Sequence, residues 1–375
     1  MKVPDKKGKR FPEIADGKSH SADGRFYKEE VQLASRNRGM PLEALRYAVT
    51  PVGMHYLLSH FDIPDVHAET WQLTVNGLVA NPIALSLDEI IKRPAVTQTI
   101  TMECAGNGRA LLEPRYVSQP WFTEALGTAE WTGTPLRRIL TEVRVDAEAV
   151  EIVFTGLDQG VEDDEVHYYQ RSLTVEDAMR EEVLLVYAMN GEPLQPQHGY
   201  PLRLVLPGWY GMGNVKWLSR IEAVAAPFKG HYMEKAYRYT QTEDEQGEPV
   251  TLMKVRALMV PPGIPDWQTR QRLVKAGPVK LMGRAWAGRS SVTSVEVSMD
   301  TGITWLPAEL EPQTLGYAWQ AWSFSWRAEC GRHVLCVRAT DAENNTQPIN
   351  HAWNFQGMGN NMVQRVDVLV ESSPA

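Results

Sequence analysis

The sequence is short of cysteine. Three occur in 375 residues, at Cys104, Cys330 and Cys336, and none forms a Cys-x-x-Cys pair. That spacing excludes a disulfide framework, the usual zinc ribbon, c-type haem attachment and the common iron–sulfur patterns. Positive charge is not in excess either. Lys and Arg total 38 against 46 Asp and Glu, for a net charge of −8, and no dense basic block interrupts the balance. A nucleic-acid partner is therefore not expected. No run of about 18 apolar residues is present to span a bilayer, so no membrane partner is expected. The basic N-terminus, MKVPDKKGKRFPEIADGKSH, lacks the apolar core of a secretory signal. The expected location is cytoplasmic, or periplasmic if a leader has been removed. His-Glu-x-x-His and other familiar mononuclear metal motifs are also missing.

What is present is ordinary globular material, 43% hydrophobic and 22% charged, long enough for two or three domains. Residues 1–48 mix charges with Gly and Pro without a sustained period. They read as an irregular arm, either laid along the body or solvated. Residues 49–240 alternate short strands with helix-like stretches, an α+β pattern. WQLTVNGLV (Trp71–Val79), VEIVFTGL (Val150–Leu157) and PLRLVLPG (Pro201–Gly208) read as strands. LSLDEIIKR reads as a short helix capped by Ser86 and stopped by Pro94, and TVEDAMREE as a second capped helix. A turn-rich boundary lies between Arg238 and Ala276, and residues 241–375 become almost purely β. Closely spaced strands, with a hairpin at Asp300-Thr301-Gly302, point to a sandwich of about seven strands.

The unusual residues lie in loops. TMECAGNGR (Thr101–Arg109) brings Cys104 to a loop with two glycines and an arginine. Backbone N–H groups and Arg109 would favour a thiolate, suited to a soft metal or to nucleophilic attack. A small buried cysteine is the alternative. PQHGYPLRLVLPGWYGMGNVKWL (Pro196–Leu218) sets His198, Arg203 and Lys216 around two Gly/Pro turns, a weak anion-binding pattern. In HYYQRSL, Tyr169 could donate a phenolic proton, with Arg171 on the same side of an extended chain. His55 and His60 are five apart, which is not a helical metal-ligand spacing, and Trp121 sits in a loop-like stretch.

Taken in order, these motifs resemble the molybdenum sulfite oxidase family over nearly the whole chain after about residue 50. TMECAGNGR is similar to the family's CAGNxR loop, TAEWTGTPL to the stretch that follows it, and MNGEPLQPQHGYPLRLVLPG with NVKWL to the cofactor-binding run. VEVSMDTGITW and NFQGMGNN look like the family's Ig-like dimerisation domain. The resemblance implies an α+β molybdopterin-binding domain with the sulfite oxidase fold, followed by an all-β immunoglobulin-like sandwich, in a homodimer. It implies molybdenum held by one pyranopterin per chain and by the thiolate of Cys104, with no haem. Asp158, His198, Arg203, Asn214, Val215 and Lys216 fall where the family holds the pterin, as do His60 and the stretch Tyr56, Leu57, Leu58 and Ser59. Tyr169 matches a catalytic tyrosine facing the metal, and Arg109 and Trp121 match residues lining the substrate pocket.

The activity so implied is oxidation of sulfite to sulfate by oxygen-atom transfer, with electrons passed to an external acceptor such as a cytochrome. The chain departs from the family twice. YLLSH stands where YVRNH is common, so Leu58 replaces an arginine, and NFQG replaces NLRG, so Gln356 replaces another. Arg171 is the candidate to compensate. A sulfane-sulfur dehydrogenase or a sulfoxide or oxyanion reductase is the alternative on the same cofactor. A non-catalytic relic and a cysteine hydrolase built on Cys104 are more distant readings.

Overall fold

A computed structural model describes residues 20–21, 26–162, 164–313 and 316–372 of the chain. The arm is less irregular than its composition indicates. Helix α1 (Lys28–Arg36) forms within it, and Met40, Ala44 and Leu45 enter the main core. Glu30 fixes the helix twice: one carboxylate oxygen accepts the Tyr27 N–H at 3.0 Å, and the other pairs with Arg115. Both charges of that pair are buried, so tertiary contact, not hydrophobic period, holds this helix. The remainder of the expected arm, residues 1–19 and 22–25, lies outside the described residues.

The first domain is α+β with two five-stranded sheets. Strands β1 (Gln72–Gly77) and β2 (Ile83–Ser86) are antiparallel, and helix α2 (Leu87–Ile91) follows at once. Ser86 caps it: its hydroxyl accepts the Glu89 N–H, and Glu89 reaches back to the Ser86 N–H at 2.8 Å. Strand β3 (Val96–Glu103) pairs with β4 (Leu126–Pro135), which leads into helix α3 (Leu136–Val143). Strands β5 (Glu151–Glu162) and β6 (Glu165–Thr174) form a long hairpin. Thr174 then caps only one turn of helix, Val175–Ala178, shorter than TVEDAMREE indicates. Strands β7 (Leu184–Met189), β8 (Arg203–Val205) and β9 (Leu218–Val224) complete the domain.

One sheet runs β2–β1–β9–β5–β6, parallel only between β1 and β9. In the other, β3 pairs with β4 and β4 with β7, whose far side carries β8 and the two-residue strand Glu192–Pro193. Two consequences matter for the site. Strand β3 ends at Glu103, so Cys104 is the first residue off the sheet. The β5–β6 register shifts between Thr155 and Gln159, a bulge that redirects the chain at Asp158.

The second domain is an Ig-like sandwich. Its four-stranded sheet runs β10 (Arg256–Met259), β12 (Gly277–Trp286), β14 (Gln320–Ala328) and a two-residue strand, Glu309–Leu310. The six-stranded sheet contains β11 (Arg272–Lys275), β13 (Val292–Ser298), β15 (Gly331–Asp341) and β16 (Gln364–Glu371), with two-residue strands at both edges. Among the described residues, seven strands have four residues or more, and the three short ones carry too few residues for an alternation to show. WQAWSFSW alternates inward: Trp322 and Trp326 join the core with Val297, Leu335 and Val368 from the facing sheet. The Asp300 hairpin forms, its carboxylate accepting the Ile303 and Thr304 N–H groups. No helix among the described residues is long and apolar enough to cross a membrane.

Trp322 is almost fully buried between the sheets. Trp322→Ala should lower stability by about 3–5 kcal/mol. Urea denaturation reads this directly, and an unchanged midpoint would place Trp322 outside the load of the core.

Candidate functional site

Four segments converge on one cavity: the stretch from His55 to His60, the cysteine loop after β3, the turn at Gln197–His198, and the loop from Gly211 to Lys216. Asp158 from the β5 bulge and Tyr169 from β6 complete its wall, together with Tyr237. The free space totals about 630 Å³ including the open mouth. Tyr56 reaches into this space only because residue 211 is glycine, since a Cβ there would collide with the tyrosine hydroxyl.

Cys104 is held by its backbone, its N–H donating to Ala125 O at 2.9 Å and its carbonyl accepting the Asn107 N–H at 3.0 Å. The sequence pattern leads one to expect a thiolate, but burial pushes the Cys104 thiol up. The Gly106 N–H, Arg109 and Trp121 pull the other way without overcoming that loss of solvation. The sulfur is thus a protonated soft donor whose proton a metal would have to displace.

The polar wall is mixed in charge. Arg203 donates to His198 O at 3.0 Å and lies over Trp131, 4.8 Å from the ring centroid. Lys216 spends all three protons on protein: Leu58 O and Ser59 Oγ at 2.9 Å, and Gln197 O at 3.1 Å. It is a staple between two walls of the cavity. Burial pushes Lys216 down, with Arg203 adding repulsion, and pushes the Asp158 carboxyl up, partly offset by Lys216. Burial also holds His55 and His60 down to about 4 and His198 to about 2, so at neutral pH these rings donate and accept without adding charge. Tyr169 donates to Met212 O at 2.7 Å and stacks on His60, whose Nε2 meets the Tyr237 hydroxyl at 2.5 Å.

Of the residues singled out from sequence, Tyr56, Leu57, Leu58, His60, Cys104, Asp158, Tyr169, His198, Arg203, Asn214 and Lys216 line the cavity. Six others do not. Ser59 stands behind the wall, bonded to Lys216 and, through its N–H, to Asn37. Val215 is fully buried in the core. Trp121 lies buried beside the sulfur, away from the opening. Arg171 faces away: its guanidinium donates to Tyr232 O and lies near the Tyr237 ring, so it is committed to packing. Gln356 is committed as well, accepting the Tyr237 N–H and donating to Lys235 O. Arg109 is buried beside the cysteine loop with bonds to Gln356 O and Gln119 O.

Sequence reasoning passed over His55, Met102, Gln197, Gly211, Met212 and Tyr237 as wall residues. His55 was visible as one of a histidine pair, and Gly211 and Met212 belong to the glycine-rich turn already noted. Tyr237 had no signal, because it comes from a segment between the domains. Among the described residues, no three His, Cys, Asp or Glu side chains converge as a metal site. A metal bound through Cys104 would need further ligands from a cofactor.

Residues 60–232 match the family described as oxidoreductase molybdopterin binding domain, and residues 252–371 the Mo-co oxidoreductase dimerisation domain. The chain is 32% identical over 341 residues to mitochondrial sulfite oxidase of Rattus norvegicus, covering 86% of this chain and 62% of that protein. It is likewise 32% identical over 357 residues to the NADH nitrate reductase of Lotus japonicus, covering 85% of this chain and 38% of that protein. The chain therefore spans less than two thirds of the length of these relatives. The crystal structure of the sulfane dehydrogenase SoxCD from Paracoccus pantotrophus superposes with a TM-score of 0.78 at 24% identity, over 99% of this chain and 95% of that one. At that identity the likeness is one of fold.

Behind His60, Glu162 accepts the Tyr232 hydroxyl at 2.6 Å and faces His231. Burial alone would raise its carboxyl, but the His231 and Tyr232 contacts hold it down to about 2 from an ordinary 4.5. A depressed carboxylate contributes stability that is complete above its ordinary range and lost as pH falls through the lower value. Glu162→Gln should therefore flatten the acid limb of stability between about pH 5 and about pH 2. Urea denaturation across that range checks it, and parallel curves for both proteins would refute it.

Proposed function

The chain belongs to the molybdenum sulfite oxidase-like family, and from that premise we propose a molybdopterin-dependent oxidoreductase acting on a small sulfur compound of low charge. The cavity suits the cofactor. Besides the Cys104 sulfur, its wall holds three buried polar atoms without protein partners: Asp158 Oδ1, Arg203 Nε and His55 Nε2. Left so, each would carry a desolvation penalty, and a heterocycle with donors and acceptors would relieve it. When bound, the molybdenum–pterin group supplies two-electron redox and oxygen-atom transfer, chemistry no side chain here can provide.

The chain's own residues would orient and tune that group. Cys104 would ligate the metal as a thiolate, releasing its proton on binding. Asp158 would accept from the pterin, and Arg203 with His198 would donate to it. Lys216, by stapling Leu58 and Ser59 to Gln197, sets the distance between two walls. Burial raises the phenols of Tyr169 and Tyr237, so both stay protonated and add no charge to the wall, the Tyr169 proton going to Met212 O and the Tyr237 hydroxyl meeting His60 Nε2.

The observation that supports the substrate class is Leu58 in the cavity wall, where the family commonly carries arginine. Arg171 and Gln356 do not replace that charge, since both are spent on the backbone. The basic side chains that line the wall are Arg203 and Lys216, with Arg109 buried behind it and bonded to Gln356 O and Gln119 O. This basic character is the feature that favours the second reading, oxidation of sulfite. In either case electrons would exchange with a separate carrier such as a cytochrome, and the sandwich domain would pair two copies of the chain.

The test compares holoenzyme turnover of sulfite with an artificial acceptor against turnover of a small sulfoxide with a reduced viologen, per molybdenum. A lower KM for the sulfoxide is expected. Leu58→Arg should then improve the KM for sulfite roughly ten- to a hundred-fold, as one charge-assisted bond of about 1.5–3 kcal/mol implies. Efficient sulfite turnover by the unaltered enzyme, with none of the sulfoxide, would move the assignment to sulfite.

A further inference from the structure

The residue before Cys104 carries a charge that the first domain does not neutralise. Glu103 is 1% exposed, and its carboxylate is met from the second domain. Arg256 on β10 donates to Oε1 at 2.5 Å, and the Trp286 indole at the end of β12 donates to Oε2 at 3.0 Å. Asn107, within the cysteine loop, supplies the remaining contact, Nδ2 to Oε1 at 2.9 Å. Arg256 is itself 2% exposed and also donates to Asn360 O at 2.9 Å.

The same domain grips the loop from its other side. In the segment before β16, the Gly359 N–H donates to Ala105 O at 2.7 Å, and Asn360 Nδ2 donates to Gly108 O at 2.8 Å. Gln356 O accepts Arg109 Nε at 3.0 Å. Gly108 has φ of 90° and so close an approach that a Cβ would lie 2.9 Å from Asn360 Nδ2. Apart from the Asn107 contact and the Arg256–Asn360 bond within the sandwich, every contact just named is formed between residues 103–109 and the sandwich domain.

We infer that Glu103, Arg256 and Asn360 are positioning residues through which the sandwich domain sets the place of Cys104 and Arg109. The domain is then part of the active site within a single chain, in addition to any role in pairing copies. The physical reason is the asymmetry of buried charge. A buried carboxylate is tolerated only where donors meet it, so Glu103 can occupy one position, opposite Arg256, and Cys104 follows from it by one peptide unit. This inference rests on the reading of Cys104 as the metal's ligand, but the restraint on the loop is measurable without it.

The experiment uses full-length holoenzyme. Arg256→Gln, Arg256→Lys and Asn360→Ala are compared with Leu335→Ala, a core substitution in the same domain away from the loop. Hydrogen exchange of residues 104–109, molybdenum per chain after dialysis, and kcat and KM are read for each. For Arg256→Gln and Asn360→Ala, loop exchange should rise about tenfold or more. Their kcat should fall by about ten- to a hundred-fold, the cost of an ångström-scale displacement, with KM changed less. Arg256→Lys should recover part of both. Leu335→Ala should lower the melting temperature while leaving loop exchange unchanged. If Arg256→Gln does not fold, Asn360→Ala carries the decision. Loop exchange and kcat unchanged in a folded variant, or equal loop loosening in Leu335→Ala, overturns the inference. If properly matured protein carries no molybdenum and the loop still loosens in Arg256→Gln and Asn360→Ala relative to the unaltered chain, the restraint stands and the metal reading fails.

Discussion

A buried sulfur at the end of a strand needs its surroundings built for it, and most of this structure can be traced to that constraint. Strand β3 leaves the sheet at Glu103, and the loop that follows has backbone groups no sheet can pair. Burying such groups without partners would cost free energy at each one. The chain answers by drawing partners from distant places: Ala125 beside β4, and Gly359 and Asn360 from the last segment of the second domain. The carboxylate of Glu103 deepens the demand, since it can be buried only against Arg256 and Trp286. The two domains are thereby held in one register around the cysteine.

The cavity wall shows the same economy of charge. Lys216 and Arg203 give most of their donors to protein carbonyls, and the three histidines are neutral because burial lowers them. What is left unpaired among the wall residues is a short set, Asp158 Oδ1, Arg203 Nε and His55 Nε2. A site that satisfies nearly all of its polar groups internally and leaves a few without partners is suited to a polar ligand. Part of the wall is aromatic and aliphatic, with Leu58, Met212, Tyr169 and Tyr237. The basic side chains of the wall are Arg203 and Lys216, with Arg109 buried behind it.

The N-terminal residues take part as well. Arg38 and Leu57 exchange backbone hydrogen bonds at 3.0 and 2.7 Å, and Asn37 links the Ser59 N–H to Gln119. Gln119 O in turn accepts Arg109 Nη1 at 3.5 Å. The stretch that reads as an arm is thus a brace behind the cavity wall. Its helix is mostly polar on its surface and is tied down by the buried Glu30–Arg115 ion pair and by Arg36, which donates to Phe61 O at 2.9 Å, contacts that no local pattern reveals.

Much of the architecture was legible in the residues alone. The Ser86–Glu89 capping box, the alternation of WQAWSFSW, the turn at Asp300 and the loop position of Cys104 follow from local chemistry, because capping, two-residue period and glycine content act over a few residues. Most of the cavity wall was legible only through the family resemblance, whose motifs keep their spacing. Three matters were decided only by the tertiary structure. The Cys104 thiol is raised, not lowered, because burial outweighs the nearby Arg109 and backbone N–H groups. Arg171 and Gln356 serve the backbone and not the pocket, since the acceptors and donors that claim them come from residues 232–237. And Glu103 finds its cation more than a hundred residues away, on a strand of the other domain. Desolvation and partner choice depend on what packs around a side chain, and chain neighbours do not specify that.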